Sequence, residues 1–319
     1  MKQTKNIKKY ILYLHIIYML SFKKSDFIIA TIVGGKYNKK YIYYHDKVDD
    51  NNIHHGKLND YINDDYLNKY KLNQHDMNNL KRNIYDDSIN NIHKEIQAKL
   101  KNESLKSIKI FDDGIIIATP HINICATEKA RHQLIAGPTG SGKSYAIGRY
   151  LNIILRLKPN KKIFLFSDVD NDAVLDKYKI TRVDLTDDII ESPIEPCELS
   201  NSIVIFDDID SISNKKLKIN IENLRDSLLK RGRHEGIEVI CTSHLLTDYK
   251  STRIVLSEVS AVTLFTKSGS TNSINYLLSK YIGLSKQQIA RIYDLPSRSI
   301  TIYKQYPNMV ISDKEIYIL

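Results

Sequence analysis

Eight consecutive residues constrain this chain more than any other stretch. Gly137-Pro138-Thr139-Gly140-Ser141-Gly142-Lys143-Ser144 meets every fixed position of G-x-x-x-x-G-K-[ST], the P-loop pattern. Gln133-Leu134-Ile135-Ala136 before it reads as a short buried strand. Tyr145 to about Leu157 after it reads as a helix, with Ile147, Leu151, Ile154 and Leu155 apolar at helical spacing. Strand, glycine loop and helix are the context that turns the pattern into a phosphate site. Glycines let the backbone turn tightly and aim several N–H groups inward, and the helix adds its positive N-terminal end. Gly137, Pro138, Thr139, Gly140, Ser141, Gly142, Lys143 and Ser144 are therefore expected to hold a nucleotide's phosphates. Lys143 should reach the β- and γ-phosphates, and the Ser144 hydroxyl should help hold Mg²⁺.

A second pattern lies downstream. Ser202-Ile203-Val204-Ile205-Phe206-Asp207-Asp208 is an apolar run ending in acid, the Walker B pattern. A strand apolar on both faces is one buried between helices. Asp207 then emerges at its carboxyl end, where open α/β sheets bind ligands. Asp207 is expected to act on Mg²⁺, and Asp208 to orient or deprotonate the attacking water. Many strands end in Asp, so this run gains its meaning from the full P-loop before it. The strand Ile237–Cys241 leads into Thr242-Ser243-His244. A polar residue there lies beside the P-loop in this kind of sheet, so His244 is either a sensor of the γ-phosphate or a structural imidazole.

The remaining elements frame these two. Lys162–Phe166 reads as a strand, Asn171–Tyr178 as a short helix and Thr181–Leu185 as another strand. Asn214–Arg231 is an amphipathic helix with Leu217, Ile221, Leu224 and Leu228 on one face, closed by Gly232. Ser260–Phe265 is a strand, and Asn272–Tyr281 a helix stopped at Gly283. Ser285-Lys286-Gln287-Gln288 is a capping box opening a helix that ends before Pro296. Ser299–Tyr303, Met309–Ser312 and Glu315–Leu319 are short terminal strands.

The first hundred residues carry weaker signals. Phe27–Val33 and Tyr41–His45 read as strands, with Gly34-Gly35 turning between them. Residues 49–91 are rich in Asn, Asp, Lys and Tyr with little periodicity, and Ser88–Leu105 looks helical. Ser107–Ile110 and Ile115–Thr119 read as a hairpin around Asp112-Asp113-Gly114. The expected organisation is an N-terminal extension over residues 1–105 and a catalytic domain over residues 106–319. His45, His54, His55 and His75 have no ligand spacing and read as solvated side chains. Tyr10–Phe22 follows Lys2, Lys5, Lys8 and Lys9 but is too short for a span and contains His15. It reads as a buried or interfacial helix, so stable membrane anchoring is not expected.

Composition adds direction. The 319 residues carry a net charge of +10 with a sequence pI near 9.2. That favours a polyanionic partner, although an AT-rich genome would produce the same lysine excess. Cys125, Cys197 and Cys241 are far apart, which suggests neither a disulfide framework nor a zinc site and fits a reducing compartment.

The ordered set of motifs resembles the virion DNA-packaging ATPases of large eukaryotic DNA viruses, the poxvirus-type branch of the FtsK/HerA group. The residues that carry it are Gly137–Ser144, Leu165-Phe166-Ser167, Ile205-Phe206-Asp207-Asp208, Gly232-Arg233-His234, Thr242-Ser243-His244, Leu284-Ser285-Lys286, Leu295-Pro296-Ser297-Arg298 and Tyr306-Pro307. The resemblance covers roughly residues 115–310. It implies an α/β, RecA-like P-loop NTPase fold with a mainly parallel sheet, ATP and Mg²⁺ as ligands, and a ring of identical subunits around double-stranded DNA. It also implies a capsid or portal-vertex partner and action in the virion or at a viral assembly site in the host cytoplasm. An arginine from the neighbouring subunit is expected in such rings, and Arg233 and Arg253 are the candidates. The resemblance departs from the wider group at two positions: Asp208 stands where Glu is usual, and His244 where Gln is usual. A cellular or plasmid DNA translocase, and a scaffold that binds nucleotide without hydrolysis, are the competing readings.

Overall fold

The structure is a computed structural model, described here for residues 19–22, 24–25, 27–45, 106–123, 131–244, 249–305 and 307–319. Most of Tyr10–Phe22, residues 49–91, the helix expected at Ser88–Leu105, His54, His55, His75, Cys125 and Tyr306 lie outside these residues. In chain order the strands are β1 (Met19–Ser21), β2 (Phe27–Val33), β3 (Tyr41–His45), β4 (Ser107–Lys109), β5 (Ile115–Asn123), β6 (Gln133–Ala136) and β7 (Lys162–Ser167). They continue with β8 (Thr181–Val183), β9 (Ser202–Asp207), β10 (Glu238–Ser243), β11 (Ala261–Leu264), β12 (Ile300–Tyr303), β13 (Met309–Ile311) and β14 (Glu315–Ile318). The α-helices are α1 (Lys143–Leu157), α2 (Asp188–Glu191), α3 (Lys215–Arg231), α4 (Tyr249–Glu258), α5 (Thr271–Tyr276) and α6 (Lys286–Asp294).

The chain divides into two compact units, residues 1–25 with 43–108, and residues 26–42 with 109–319. In the smaller unit β1 pairs antiparallel with residues 43–45, and Ser21 Oγ lies 3.4 Å from the ring of His45, which is buried rather than solvated. The larger unit takes in β2, which lies within the extension expected over residues 1–105. β2 pairs antiparallel with β5 through Ile32–Ile116 and its neighbours, an apolar match between two strands distant in sequence. That pairing replaces the expected hairpin of 107–110 with 115–119. Ile110 N donates instead to Lys314 O, and the Asp112 carboxylate accepts the N–H groups of Gly114 and Lys36.

The main sheet of the larger unit runs β14-β13-β12-β11-β6-β10-β9-β7-β8. From β11 to β8 all neighbours are parallel, while β11-β12-β13-β14 are antiparallel. The decisive feature is that β10 lies between β6, which feeds the P-loop, and β9, which ends in Asp207. This is the RecA-like arrangement of a P-loop NTPase, here with an antiparallel extension at one side.

Burial explains the pattern. Ile203, Val204, Ile205 and Phe206 of β9 have no exposed surface, since helices cover both faces. Phe166 and Phe206 stack with centroids 4.9 Å apart. On α1, Ile147, Leu151 and Ile154 are buried; on α3, Leu217, Ile221 and Leu228 are. Asn214 Oδ1 caps α3 by accepting from Lys216 N and Leu217 N, and Ser285 with Gln288 forms the expected capping box of α6. Helix α4 has no counterpart in the sequence reading. Its Ile254-Val255-Leu256 run is rich in β-branched residues, yet Val255 and Leu256 are buried on a helix. The helix expected at Asn171–Tyr178 shrinks to a 3₁₀ turn at Leu175–Lys177, because the Asp172 carboxylate takes the N–H groups of Val174 and Leu175. Cys241 is a core residue, its thiol pushed up to about 12 by burial. Among the described residues, no helix is long and apolar enough to cross a membrane.

Candidate nucleotide-binding site

The parallel strands deliver the site at their carboxyl ends. β6 turns into the P-loop, and Gly137 N donates to Ser243 O at 3.0 Å, tying the loop to the end of β10. Gly137 has no room for a side chain: a Cβ there would stand 2.6 Å from the Phe265 ring and 2.7 Å from Ser141 Oγ. Gly142 holds φ +109°, open to glycine and strained for other residues. Ser141 is 2% exposed, and its Oγ has no hydrogen-bond partner. A buried hydroxyl without a partner in the phosphate loop fits an anion that would satisfy it.

Lys143 begins α1 and is 7% exposed. Its Nζ lies 3.3 Å from Gly137 O, 3.1 Å from His244 Nδ1 and 3.5 Å from Asp208 Oδ1. The ammonium can only donate, so His244 Nδ1 accepts there. His244 Nε2 then carries the proton facing Asp208 Oδ2, 2.8 Å away. Thr139 Oγ1 completes the group at 3.4 Å from His244 Nδ1. Lysine, imidazole and carboxylate thus form one cluster at the mouth of the loop, joining residues a hundred positions apart.

Asp207 and Asp208 are held by a residue the sequence reading left out of the site. Thr242 Oγ1 donates to Asp207 Oδ1 at 2.8 Å, lies 3.0 Å from Asp208 Oδ1 and accepts Asp208 N at 2.9 Å. The signal was present, since pairing β10 beside β9 with Cys241 opposite Phe206 sets Thr242 against Asp207. Burial raises the Asp207 carboxyl above its ordinary value. The Thr242 bond and Lys143 oppose this, and the charges of Asp208 and Asp172 add to it. A cation at that position would reverse the penalty.

Asp172 is the second residue the sequence did not single out. Burial pushes its carboxyl up, but bonds from the Ser144 hydroxyl and from Leu175 and Val174 N–H outweigh that and leave it lowered. It therefore orients Ser144. The donors Ser144, Asp207 and Asp172 are hard oxygens, which suit Mg²⁺. Among the described residues no three His, Cys, Asp or Glu side chains converge closely enough to hold a metal alone.

Arg233 is not part of this cluster. It follows α3 and precedes β10, whereas His244 follows β10. The strand's six residues put roughly 17 Å between those ends. Arg233 donates to Glu258 O and lies 3.9 Å from the Glu258 carboxylate, at the amino ends of the parallel strands. Arg253 lies exposed on α4. Arg298, by contrast, reaches the P-loop itself, donating to Gly140 O at 3.1 Å.

No family model matches the chain. The uncharacterized protein V3 of Sputnik virophage is 38% identical over 175 residues, covering 54% of this chain and 71% of that protein. The chain belongs to the family of that virophage protein. Among solved structures, the DNA-packaging ATPase B204 of Sulfolobus turreted icosahedral virus has a TM-score of 0.42 at 17% identity, covering 57% of this chain and 97% of that one. The pCW3 conjugation coupling protein TcpA with ATPγS has a TM-score of 0.42 at 14% identity, covering 91% and 77%. At such identities and scores, the geometry of the site itself carries the functional reading of this V3 relative.

Proposed function

We propose that this chain is an ATP-hydrolysing motor that moves double-stranded viral DNA into a capsid during virion assembly. The observation that carries the reading is the cluster of Lys143, Asp208 and His244 within 3.5 Å at the mouth of the P-loop, with Asp207 behind it. Lys143 leaves His244 and Asp208 for the β- and γ-phosphates when a triphosphate enters. Ser144 and Asp207 would hold Mg²⁺, which would supply positive charge to the phosphate oxygens. Asp208, released from Lys143 and still anchored by Thr242, accepts a proton from the attacking water. His244 Nε2–H stays on Asp208, and its freed Nδ1, an acceptor, meets a phosphate oxygen only through an intervening donor such as a water or the Thr139 hydroxyl 3.4 Å away, which suits an indirect sensor.

The DNA half of the reading is supported by the ordered Gly-Arg-His, Thr-Ser-His and Leu-Pro-Ser-Arg elements, which resemble the poxvirus-type packaging branch, and by the net charge of +10. Kinship with a virophage protein supports action in the virion or at an assembly site. A ring of copies lets an arginine of one subunit serve the next subunit's nucleotide. Arg233 is the residue for that role, since it is far from its own P-loop and can reach outward once it releases Glu258.

Phosphate release measured with and without duplex DNA tests the proposal. Wild type should hydrolyse ATP faster with DNA, and Asp208→Asn should bind nucleotide but lose hydrolysis. An assembled, nucleotide-binding wild type with no DNA-stimulated hydrolysis would refute the motor and leave the scaffold reading.

A further inference from the structure

The first turn of α1 carries an aromatic ring that the phosphate chemistry does not use. Tyr145 directly follows Ser144 and is 60% exposed. Helical Cα–Cβ bonds tilt toward the N-terminus, so this ring covers the surface over the P-loop end of the helix. Arg149, one turn later, lies over the ring with its guanidinium carbon 5.9 Å from the centroid. Its two terminal nitrogens both donate to Asp313 Oδ1 at 3.2 Å. Asp313 N in turn donates to Ser297 Oγ at 2.8 Å, and the next residue, Arg298, donates to Gly140 O. These bonds form a frame from the tip of the P-loop to Tyr145. It stands on the β11–β12 side of β6, whereas Asp207, Asp208 and His244 stand on the β10–β9 side.

A triphosphate seated in the loop with its reacting end at Asp208 must send its nucleoside away from those carboxylates, along the flank that holds the frame. We propose that Tyr145, backed by Arg149, is the stacking platform for the nucleobase. The inference rests on the triphosphate site proposed above and adds the substrate class. A ring face reads no base edge, so the site takes nucleoside triphosphates as a class without selecting the base, ATP and GTP alike.

The chain contains no tryptophan, which makes a direct test possible. Full-length Tyr145→Trp has a single indole at the platform. With Mg²⁺ present, AMP-PNP and GMP-PNP should quench its emission, and inorganic tripolyphosphate should bind without doing so. In equilibrium binding, Tyr145→Ala should weaken AMP-PNP about 5- to 100-fold and leave tripolyphosphate unchanged, while Tyr145→Phe keeps wild-type affinity. AMP-PNP and GMP-PNP should agree within about tenfold for wild type, because stacking is tolerant of base identity. Unchanged AMP-PNP affinity in Tyr145→Ala overturns the platform. So does quenching by tripolyphosphate, or a loss of duplex binding without a loss of nucleotide binding. Unchanged AMP-PNP affinity in the variant, together with tripolyphosphate binding in the wild type, overturns the platform and leaves the phosphate site standing. A wild type that binds neither probe overturns the site and the platform together.

Discussion

Thr242→Val isolates the small side chain on which both carboxylates depend. Valine keeps the branched shape, so no cavity opens, and only the hydroxyl is lost. Thr242 is 5% exposed, and it donates to Asp207 Oδ1 at 2.8 Å while accepting Asp208 N at 2.9 Å. A hydrogen bond to a charged group contributes about 1.5–3 kcal/mol, and a buried donor left unpaired costs about 1–3 kcal/mol. The two terms share one side chain, and Asp208 N is only part-buried, so they do not add in full. The expected loss is about 2–4 kcal/mol, read from urea denaturation of nucleotide-free protein. Removing the bond also removes an influence that lowers the Asp207 carboxyl, so more of it is protonated and Mg²⁺-nucleotide binding weakens. Thr242→Ser restores the hydroxyl and should recover most of both quantities. Stability of Thr242→Val within about 0.5 kcal/mol of wild type would refute the anchoring role.

Two further outcomes follow from the site. Burial raises the Asp207 carboxyl, so its neutral form is the one favoured in the fold, and its contribution to stability is present at low pH and lost as pH rises through the raised value. Metal-free wild type should therefore lose stability relative to Asp207→Asn as pH climbs above the ordinary carboxylate range, and Mg²⁺-nucleotide should close the gap; thermal melts across pH would show a constant difference if the reasoning is wrong. Arg233→Ala should bind nucleotide, lose under about 1 kcal/mol of stability because its Glu258 pair is one-third exposed, and lose hydrolysis. Mixed with Lys143→Ala subunits, it should regain activity through junctions that unite an intact P-loop with an intact arginine, and no recovery would remove Arg233 from that role.

The chemistry-bearing half of the chain was far more legible than its scaffold. P-loop, Walker B and His244 could be read because each sits at the end of an apolar strand, where local pattern and position in the sheet coincide. Thr242 and Asp172 escaped because they act through Asp207 and Ser144, and a hydroxyl or a loop carboxylate has no signature until strand order and turn geometry are known. The pairing of β2 with β5 escaped for a different reason: each strand is apolar enough to suit several partners, and the nearer hairpin partner looked cheaper in loop closure. Helix α4 was hidden by a β-branched run. Arg233 neighbours β10 along the sequence, but it stands at the end of that strand opposite to His244.

The backbone at Asp208 has a consequence for which acid can serve there. Its φ of 49° and ψ of 36° lie in the left-handed region, which asparagine and aspartate enter several-fold more readily than longer side chains. Glutamate would carry a conformational penalty on the order of 1 kcal/mol before any chemistry began, and its extra methylene would push the carboxylate past His244 and Lys143. The choice of the shorter acid is thus written into the turn after β9. An exchange of one acid for the other therefore carries a backbone cost as well as a displaced carboxylate.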